Sequence, residues 1–150
     1  MKKKYVSFKK IKEYIKILDS NINKSNWNPD IILSINRGGC VPGVFLSHLR
    51  DINHEVLSFK NKINYKGVNY LKEIMESHSS ILIIDDINDS GDTLSVIKKK
   101  FNDYINKIKF AVLINNKSSS FKVDYFGNEI DKNIDNSWID FPWENIDAEQ

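Results

Sequence analysis

Apolar and polar positions alternate along this chain in two different rhythms. Short apolar runs predict five strands, at residues 30–35, 56–59, 81–84, 110–114 and 123–126. Between these runs, apolar residues recur every three or four positions and predict helices over residues 8–18, 41–49 and 93–104. Strands and helices that alternate in this way predict an α/β fold, with a mostly parallel twisted sheet of about five strands and helices on both faces.

One segment follows neither rhythm. Residues 61–70 are polar, basic and aromatic without a clear period, so we predict a flexible excursion at about residues 60–71. Residues 71–75 are compatible with either a short helix or a short strand. Because the chain has no internal repeat and no low-complexity linker, residues 1–150 are predicted to form one domain, in which the excursion makes a small hood.

A group of acidic and hydroxyl-bearing residues follows the third predicted strand. The unbroken apolar run of that strand is typical of a strand buried on both faces. Three acids, a Ser-Gly pair and a Thr that opens a helical pattern come next: Asp85, Asp86, Asp89, Ser90, Gly91 and Thr93. They are therefore predicted at the carboxyl end of a strand beside a helix N-terminus, where open α/β sheets bind ligands. Such a helix end suits a phosphate, and acids beside a phosphate suit a divalent cation and sugar hydroxyls.

A second polar segment lies between the first of these strands and the following helix, at the same edge of the predicted sheet. Gly38 and Gly39 let the backbone approach an anion closely, and Arg37 offers a planar charged fork to phosphate oxygens. The chain uses lysine for nearly all its positive charge and has only two arginines. Alone, the segment fits an anion site and a plain turn with a surface arginine equally well. Beside the acid segment, the anion site is favoured.

The acid segment resembles the phosphoribosyl-diphosphate (PRPP) motif of the type I phosphoribosyltransferases, in which a hydrophobic strand precedes two acids, two further residues, and then acid, Ser or Thr, Gly, any residue and Thr. The Arg-Gly-Gly at Arg37, followed by Val-Pro-Gly, resembles the pyrophosphate loop of the bacterial xanthine-guanine branch of that family. That likeness implies a cis non-proline peptide near Asn36-Arg37-Gly38. It also implies a purine salvage enzyme that transfers the phosphoribosyl group of PRPP to xanthine, guanine or hypoxanthine.

The C-terminal part of the chain carries a third segment, rich in aromatic rings. On its own it fits either packing at a sheet edge or a flat slot for a heterocycle. It resembles the Trp-Ile-x-x-Pro-Trp ending of the same branch, which implies a base-binding loop at about residues 115–144 with Trp138 and Ile139 lining the base pocket and Trp143 packing. The resemblance also implies that Lys117 donates to the 6-oxo group, since an ammonium donates but does not accept.

The family pattern implies a role for each matching residue. Those expected to bind PRPP are Arg37, Gly38, Gly39, Asp85, Asp86, Asp89, Ser90, Gly91, Asp92 and Thr93. Asp89 is the expected catalytic residue and proton acceptor at purine N7, and Asp85 and Asp86 are expected beside Mg²⁺, the implied cofactor. The excursion is the expected lid over PRPP. The xanthine-guanine branch has an arginine there, whereas this chain has lysines at positions 60, 62 and 66.

The composition of the chain narrows the range of functions that it can have. The net charge of +2, from 22 basic and 20 acidic residues, gives no support for nucleic-acid or membrane binding through bulk charge. One cysteine excludes an intrachain disulfide, and no apolar run approaches the ~20 residues of a membrane span. We expect a cytoplasmic homo-oligomer, a dimer or tetramer, the assembly being implied by the resemblance alone. A PRPP-binding regulatory module and a transferase for orotate or adenine stay open as alternatives.

Overall fold

The computed structural model describes residues 1–58 and 65–145. Its main sheet has five strands: β2 (Ile31–Ile35), β3 (Asn53–Leu57), β4 (Ile81–Asn88), β5 (Ile108–Asn116) and β6 (Tyr125–Ile130). They lie in the order β3-β2-β4-β5-β6, and every neighbouring pair is parallel. A second, two-stranded parallel sheet pairs β1 (Lys3–Tyr5) with β7 (Trp138–Asp140). The predicted sheet architecture is confirmed.

The helices are α1 (Phe8–Lys24), α2 (Cys40–Arg50), α3 (Tyr65–Ser77) and α4 (Asp92–Lys100), and a 3₁₀ helix (Asn102–Lys107) follows α4. The best-defined start belongs to α1, where the Ser7 side chain accepts a hydrogen bond from the Lys10 N–H at 3.3 Å. The buried side of that helix is a stripe at helical spacing, formed by Ile11, Ile15, Leu18 and Ile22. In the described residues, none of the helices has the length and apolar character needed to cross a membrane.

The hydrophobic core lies on both faces of the main sheet. Successive side chains of β4 point to opposite faces, so Ile83 packs with the cluster that includes α3 and α4, and Leu82 packs with the cluster that includes α1. Residues 81–84 are all fully buried. This double burial is the reason for the unbroken apolar run in the sequence.

Several predicted boundaries are wrong. The strand β4 continues through the acids to Asn88, because Asp85 and Ile87 keep their register with β5. The helix α1 runs to Lys24, six residues beyond its predicted end at residue 18. The second half of the predicted excursion is helical from Tyr65, and residues 71–75 belong to the same helix. Residues 59–64, the first half, lie outside the described residues. The strands β1 and β7 were not predicted.

The sheet order determines where the polar loops meet. After β2 the chain goes to β3 on one side, and it then crosses to β4 on the other side of β2. The carboxyl ends of β2 and β4 therefore flank a point where the strand order reverses, which is the usual ligand position in an open α/β sheet. The Arg37 segment follows β2, and the acid segment ends β4.

Candidate active site

The glycine segment and the acid segment are in direct contact. A Cβ atom added to Gly38 would lie 2.0 Å from Oδ2 of Asp86, and one added to Gly39 would lie 2.3 Å from the carbonyl oxygen of Ile84. The Asn36–Arg37 peptide is cis, as the resemblance implied. The two glycines thus bring the loop after β2 against the end of β4, where a larger residue would displace an acidic side chain.

The paired acids Asp85 and Asp86 lie at this contact. The Asp86 N–H donates to Oδ1 of Asp85 at 2.9 Å, and the Ile87 N–H donates to Oδ1 of Asp86 at 2.8 Å. Burial raises the pKa of both carboxyl groups, that of Asp86 to about 6 and that of Asp85 well above its ordinary value, to which the neighbouring Asp86 charge also contributes. A cation brought to this place would relieve the accumulated negative charge.

The donor set is suited to a hard cation. Asp85 and Asp86 offer only carboxylate oxygens, which Mg²⁺ prefers. The described residues contain no group of three or more His, Cys, Asp or Glu side chains that could hold a metal without help. The residues present therefore fit a cation that takes its other ligands from water and from substrate oxygens, and they do not form a cage of their own.

The segment after β4 forms a tight loop into α4. Gly91 has a φ of +96°, and a Cβ there would lie 2.7 Å from the Phe121 nitrogen, so the position requires glycine. The Ser90 hydroxyl donates to Oδ2 of Asp92 at 2.9 Å, and Asp92 is exposed. Thr93 is half-buried in the first turn of α4. N–H groups in a first turn have no intrahelical partner, which makes this a place for an anion.

A cleft of about 1010 Å³ opens beside the acids. Its walls come from the loop after β2, from the end of β4 and from the C-terminal segment, and they include Arg37, Gly38, Asp86, Trp138 and Trp143. The cleft is large enough for a small organic ligand. Segments that are far apart in the sequence, near residue 37 and near residue 138, thus face each other across one space.

The two arginines of the chain have different surroundings. Arg50 forms an ion pair with Asp19 and donates to Asn23 and Asn28, so it ties α1 to α2. Arg37 is exposed at the cleft and forms no ion pair within residues 1–58 and 65–145. Arg37 is accordingly available to an anionic ligand, whereas Arg50 is occupied with holding the fold together.

The C-terminal aromatic segment is a strand, and this fact separates its two predicted base-pocket residues. Trp138 is 45% exposed and lines the cleft. Ile139, the next residue of β7, is buried and packs in the apolar cluster with residues of α1. Adjacent residues of a strand point in opposite directions, so Trp138 is presented to the cleft while Ile139 anchors the strand. The ring of Trp143 stacks on Phe141 at 4.8 Å between centroids, consistent with packing.

The comparisons with known proteins agree with this geometry. Residues 3–147 match the phosphoribosyl transferase domain. The chain belongs to the phosphoribosyltransferase family. Xanthine-guanine phosphoribosyltransferase of Idiomarina loihiensis is 26% identical over 121 residues, covering 75% of this chain and 70% of that protein. The enzyme of the same name from Cereibacter sphaeroides is 30% identical over 120 residues, covering 75% and 68%.

A solved structure extends the likeness over the whole length. The purine phosphoribosyltransferase of Pyrococcus horikoshii superposes with a TM-score of 0.73 at 25% identity, and the match covers 100% of this chain and 99% of that one. The family and fold predicted from the sequence are confirmed, and so is the class of enzyme. The roles of individual residues in this phosphoribosyltransferase stay predictions.

Two lysines differ in their relation to the acids of this phosphoribosyltransferase. Lys117, the predicted base donor, is exposed in the turn after β5, and its backbone N–H donates to the Ile130 carbonyl at 2.8 Å. Lys132 was not predicted. Its Nζ lies 2.7 Å from Oδ2 of Asp89 and 5.9 Å from the centroid of the Trp138 ring. Lys132 lies in a polar stretch without a motif, so nothing in the sequence marked it.

Asn116 is a second residue that sequence reasoning missed. It is buried at the end of β5, where its side-chain amide donates to the Asp89 carbonyl at 3.0 Å and its side-chain oxygen accepts from the Lys132 N–H at 3.0 Å. One side chain thus ties the loop after β4 to the loop after β6. Its position directly before Lys117, at the end of a strand, is the signal that could have drawn attention to it.

Proposed function

We propose that this phosphoribosyltransferase transfers the 5-phosphoribosyl group of PRPP to a 6-oxopurine, xanthine, guanine or hypoxanthine, and releases pyrophosphate. The observation that carries the proposal is the contact between the Gly38 loop and Asp86 at the reversal of strand order, with Trp138 across the same cleft. That arrangement offers a phosphate cradle, a cation position and an aromatic face within one site. The purine relatives support the choice of base.

PRPP would lie along the carboxyl edge of the sheet. Its 5′-phosphate would accept from N–H groups of the loop and first turn of α4, with the Ser90 and Thr93 hydroxyls beside them. Its pyrophosphate would contact Arg37 and the amides of the glycine segment, because a guanidinium pairs with phosphate oxygens through two parallel hydrogen bonds. Asp85 and Asp86 would face the ribose hydroxyls.

Mg²⁺ would be held beside Asp85 and Asp86, mainly by water and by oxygens of PRPP, and when bound it would neutralise charge on the leaving pyrophosphate. The acids themselves would orient the ribose 2′- and 3′-hydroxyls. The burial of these carboxyl groups would strengthen their interaction with a bound cation.

The reaction would proceed by displacement at the anomeric carbon. The purine N9 forms a bond to C1′ while the bond from C1′ to the pyrophosphate oxygen breaks, and the proton leaves N7 for Asp89. Positioning and charge stabilisation would supply most of the rate, and proton transfer would add about 10²–10⁴-fold. The Trp138 face would support the base, since aromatic side chains stack on heterocycles. Lys117 and Lys132 are the two candidates for the donor to its carbonyl group.

The direct test is product detection by mass. The protein is incubated with PRPP, Mg²⁺ and each of guanine, xanthine, hypoxanthine, adenine and orotate, and the nucleoside monophosphate is measured. We expect product with one or more of the oxopurines and little with adenine or orotate. Product with orotate or adenine alone would replace the proposed base. PRPP binding without any product would favour a regulatory module instead.

Two broader expectations are part of the same proposal. As a purine salvage enzyme the protein would act in the cytoplasm, where free bases and PRPP are consumed. It would also form a dimer or tetramer, which light scattering at several protein concentrations would measure. A monomer at all concentrations with full activity would contradict the expected assembly and leave the reaction unaffected.

A further inference from the structure

The ion pair between Lys132 and Asp89 has an asymmetric exposure. The Lys132 side chain is 13% exposed and the Asp89 side chain is 44% exposed. The ammonium is therefore largely withdrawn from water beside the Trp138 ring, while the carboxylate keeps an open side. The Trp138 ring, the ammonium and the carboxylate are thus neighbours, and partial desolvation strengthens the attraction between the two charges relative to a fully exposed pair.

Hydrogen bonds from neighbouring residues also hold the backbone segments that carry the pair. The Asn116 side chain bonds both the Asp89 carbonyl and the Lys132 N–H. The turn that carries Lys132 is closed by Asp131, whose Oδ1 accepts from the Asn133 N–H at 3.0 Å and from the Ser118 hydroxyl. Both charged residues thus have their backbones anchored, and the distance between them is set by buried structure as well as by their own attraction.

The edge of a 6-oxopurine matches this pair. The carbonyl oxygen at position 6 is an acceptor, and it lies next to N7 on the same edge of the ring. A carboxylate that takes the proton of N7 and an ammonium that donates to the neighbouring oxygen would both be satisfied at once. Adenine has an amino group at position 6, and this hydrogen-bond donor would face the ammonium, which is also a donor.

We propose, on the basis of the proposed function, that Lys132 is the specificity-determining donor to the 6-oxo group, and that it acts with Asp89 as one unit on the O6 and N7 edge of the purine. This assigns to Lys132 the role that the family resemblance implied for Lys117. Lys117 is exposed, and its backbone N–H donates to the Ile130 carbonyl, which stabilises the turn after β5. Among the described residues, Asp89 forms its ion pair with Lys132 and not with Lys117.

Inosine and adenosine monophosphates test the assignment by binding alone. They differ at position 6 and in the proton on N1, whereas N7 is the same in both, so any contribution of Asp89 at N7 cancels between them. Calorimetry with the full chain should show the inosine nucleotide bound more tightly by about tenfold or more, because a hydrogen bond to a charged group is worth roughly 10- to 100-fold in affinity. The variant Lys132→Met should reduce that preference to less than about threefold, by weakening inosine monophosphate while leaving PRPP binding and Tm close to wild type.

Matched variants separate Lys132 from the other lysines. Lys122→Met, at an exposed lysine before β6, is expected to keep the wild-type preference. Lys132→Arg, which retains the positive charge, is expected to keep part of it. If Lys132→Met keeps the full preference, or if Lys117→Met removes it instead, the assignment is wrong. An equal affinity of the wild type for both nucleotides would also overturn it. If the wild-type protein prefers inosine monophosphate but forms no nucleotide from PRPP and a base, the transfer reaction is contradicted and the role of Lys132 in binding is not.

Discussion

The two ends of the candidate site are built in different ways. The acid end is one continuous segment, from Asp85 to Thr93, placed by the last residues of a central strand and the first turn of a helix. The base end is assembled from β7, from the loop after β6 and from the end of β5. The acid end is nevertheless tied to later segments, because the Asn116 amide donates to the Asp89 carbonyl and the Ser120 N–H donates to the Ser90 carbonyl. The residues of the acid end are therefore contiguous in the sequence although distant contacts hold their loop, and the residues of the base end come together only in the complete fold.

The acidic side chains at the two ends also differ in whether they have a basic partner. At the acid end, Asp85 and Asp86 have no basic partner within the described residues, and burial raises the pKa of both. At the base end, Asp89 is paired with Lys132. In the proposed function, the first arrangement would be completed by a cation that arrives with the substrate. The second already contains a cation, the Lys132 ammonium, and would be completed by a neutral ring.

The largest effect should come from Asp89, which belongs to both ends. Asp89→Asn is expected to lower kcat by about 10²–10⁴-fold, because the amide cannot accept the N7 proton in the reaction. The Kd for PRPP should change by no more than about threefold. Steady-state kinetics and calorimetry measure the two values. Unchanged turnover would remove Asp89 from the catalytic role.

Trp138 should affect the base end alone. Trp138→Ala is expected to raise KM for the oxopurine by roughly 5- to 150-fold, since stacking of a base on an aromatic ring is worth about 1–3 kcal/mol. Trp138→Phe keeps a ring and should lose much less. KM for PRPP is the internal control. An equal rise in both KM values would mean that the tryptophan supports the cleft as a whole.

Replacing Asp86 should change both the stability of the protein and its binding of PRPP. A carboxyl group whose pKa is raised to about 6 in the folded protein favours folding below its ordinary pKa, and this contribution is lost as the pH rises through about 6. Asp86→Asn should therefore be more stable than wild type at pH 7.5, by roughly 1–3 kcal/mol, and the difference should shrink towards pH 4. Thermal unfolding across this range measures it.

The same variant should bind PRPP with Mg²⁺ less tightly, and this loss is the functional counterpart of the stability gain. Its affinity for inosine monophosphate should fall less. A Tm difference that does not depend on pH would contradict the assignment of the stability gain to the buried charge. Asp103→Asn, at an exposed acid of the 3₁₀ helix, is the control.

The smallest effect is expected at Asp92. Its carboxylate accepts a hydrogen bond from the Ser90 hydroxyl and would lie near the 5′-phosphate of PRPP. Asp92→Ala should free that hydroxyl and remove a repulsion, lowering KM for PRPP about two- to fivefold, while the lost charge at the helix N-terminus should destabilise the fold by about 0.3–1 kcal/mol. A higher KM would show that Asp92 itself contacts the substrate.

Sequence reasoning succeeded where local patterns determine structure. Residues 81–84 are apolar on both faces, so a buried strand was the natural prediction, and the acids then had to follow at the sheet edge. The helix α3 carried a signal that the predicted excursion obscured, because Leu71, Ile74 and Met75 are buried at helical spacing. Spacing over only five residues could not separate a helix from a strand.

The base end offered much less to predict. The strand β1 consists of two lysines and a tyrosine, and β7 has three residues, so neither has a period that a sequence pattern can show. Each is a strand because it pairs with the other, at a separation of 135 positions between Lys3 and Trp138. Lys132 is likewise brought close to Asp89 by a contact between distant segments, since the Asn116 side chain bonds to the backbone of both residues. Such contacts are properties of the complete fold.

The pairing of β1 with β7 has a consequence for the making of the protein. During translation, Lys3–Tyr5 leaves the ribosome long before Trp138–Asp140, and it has no strand partner in the described structure until the later segment emerges. A nascent chain that stops at α4 already contains every residue of the acid end, yet it has no aromatic wall. It also lacks β5, which pairs with β4, and Asn116, which bonds to the Asp89 carbonyl, so both ends of the site would take shape only after the later segments are made.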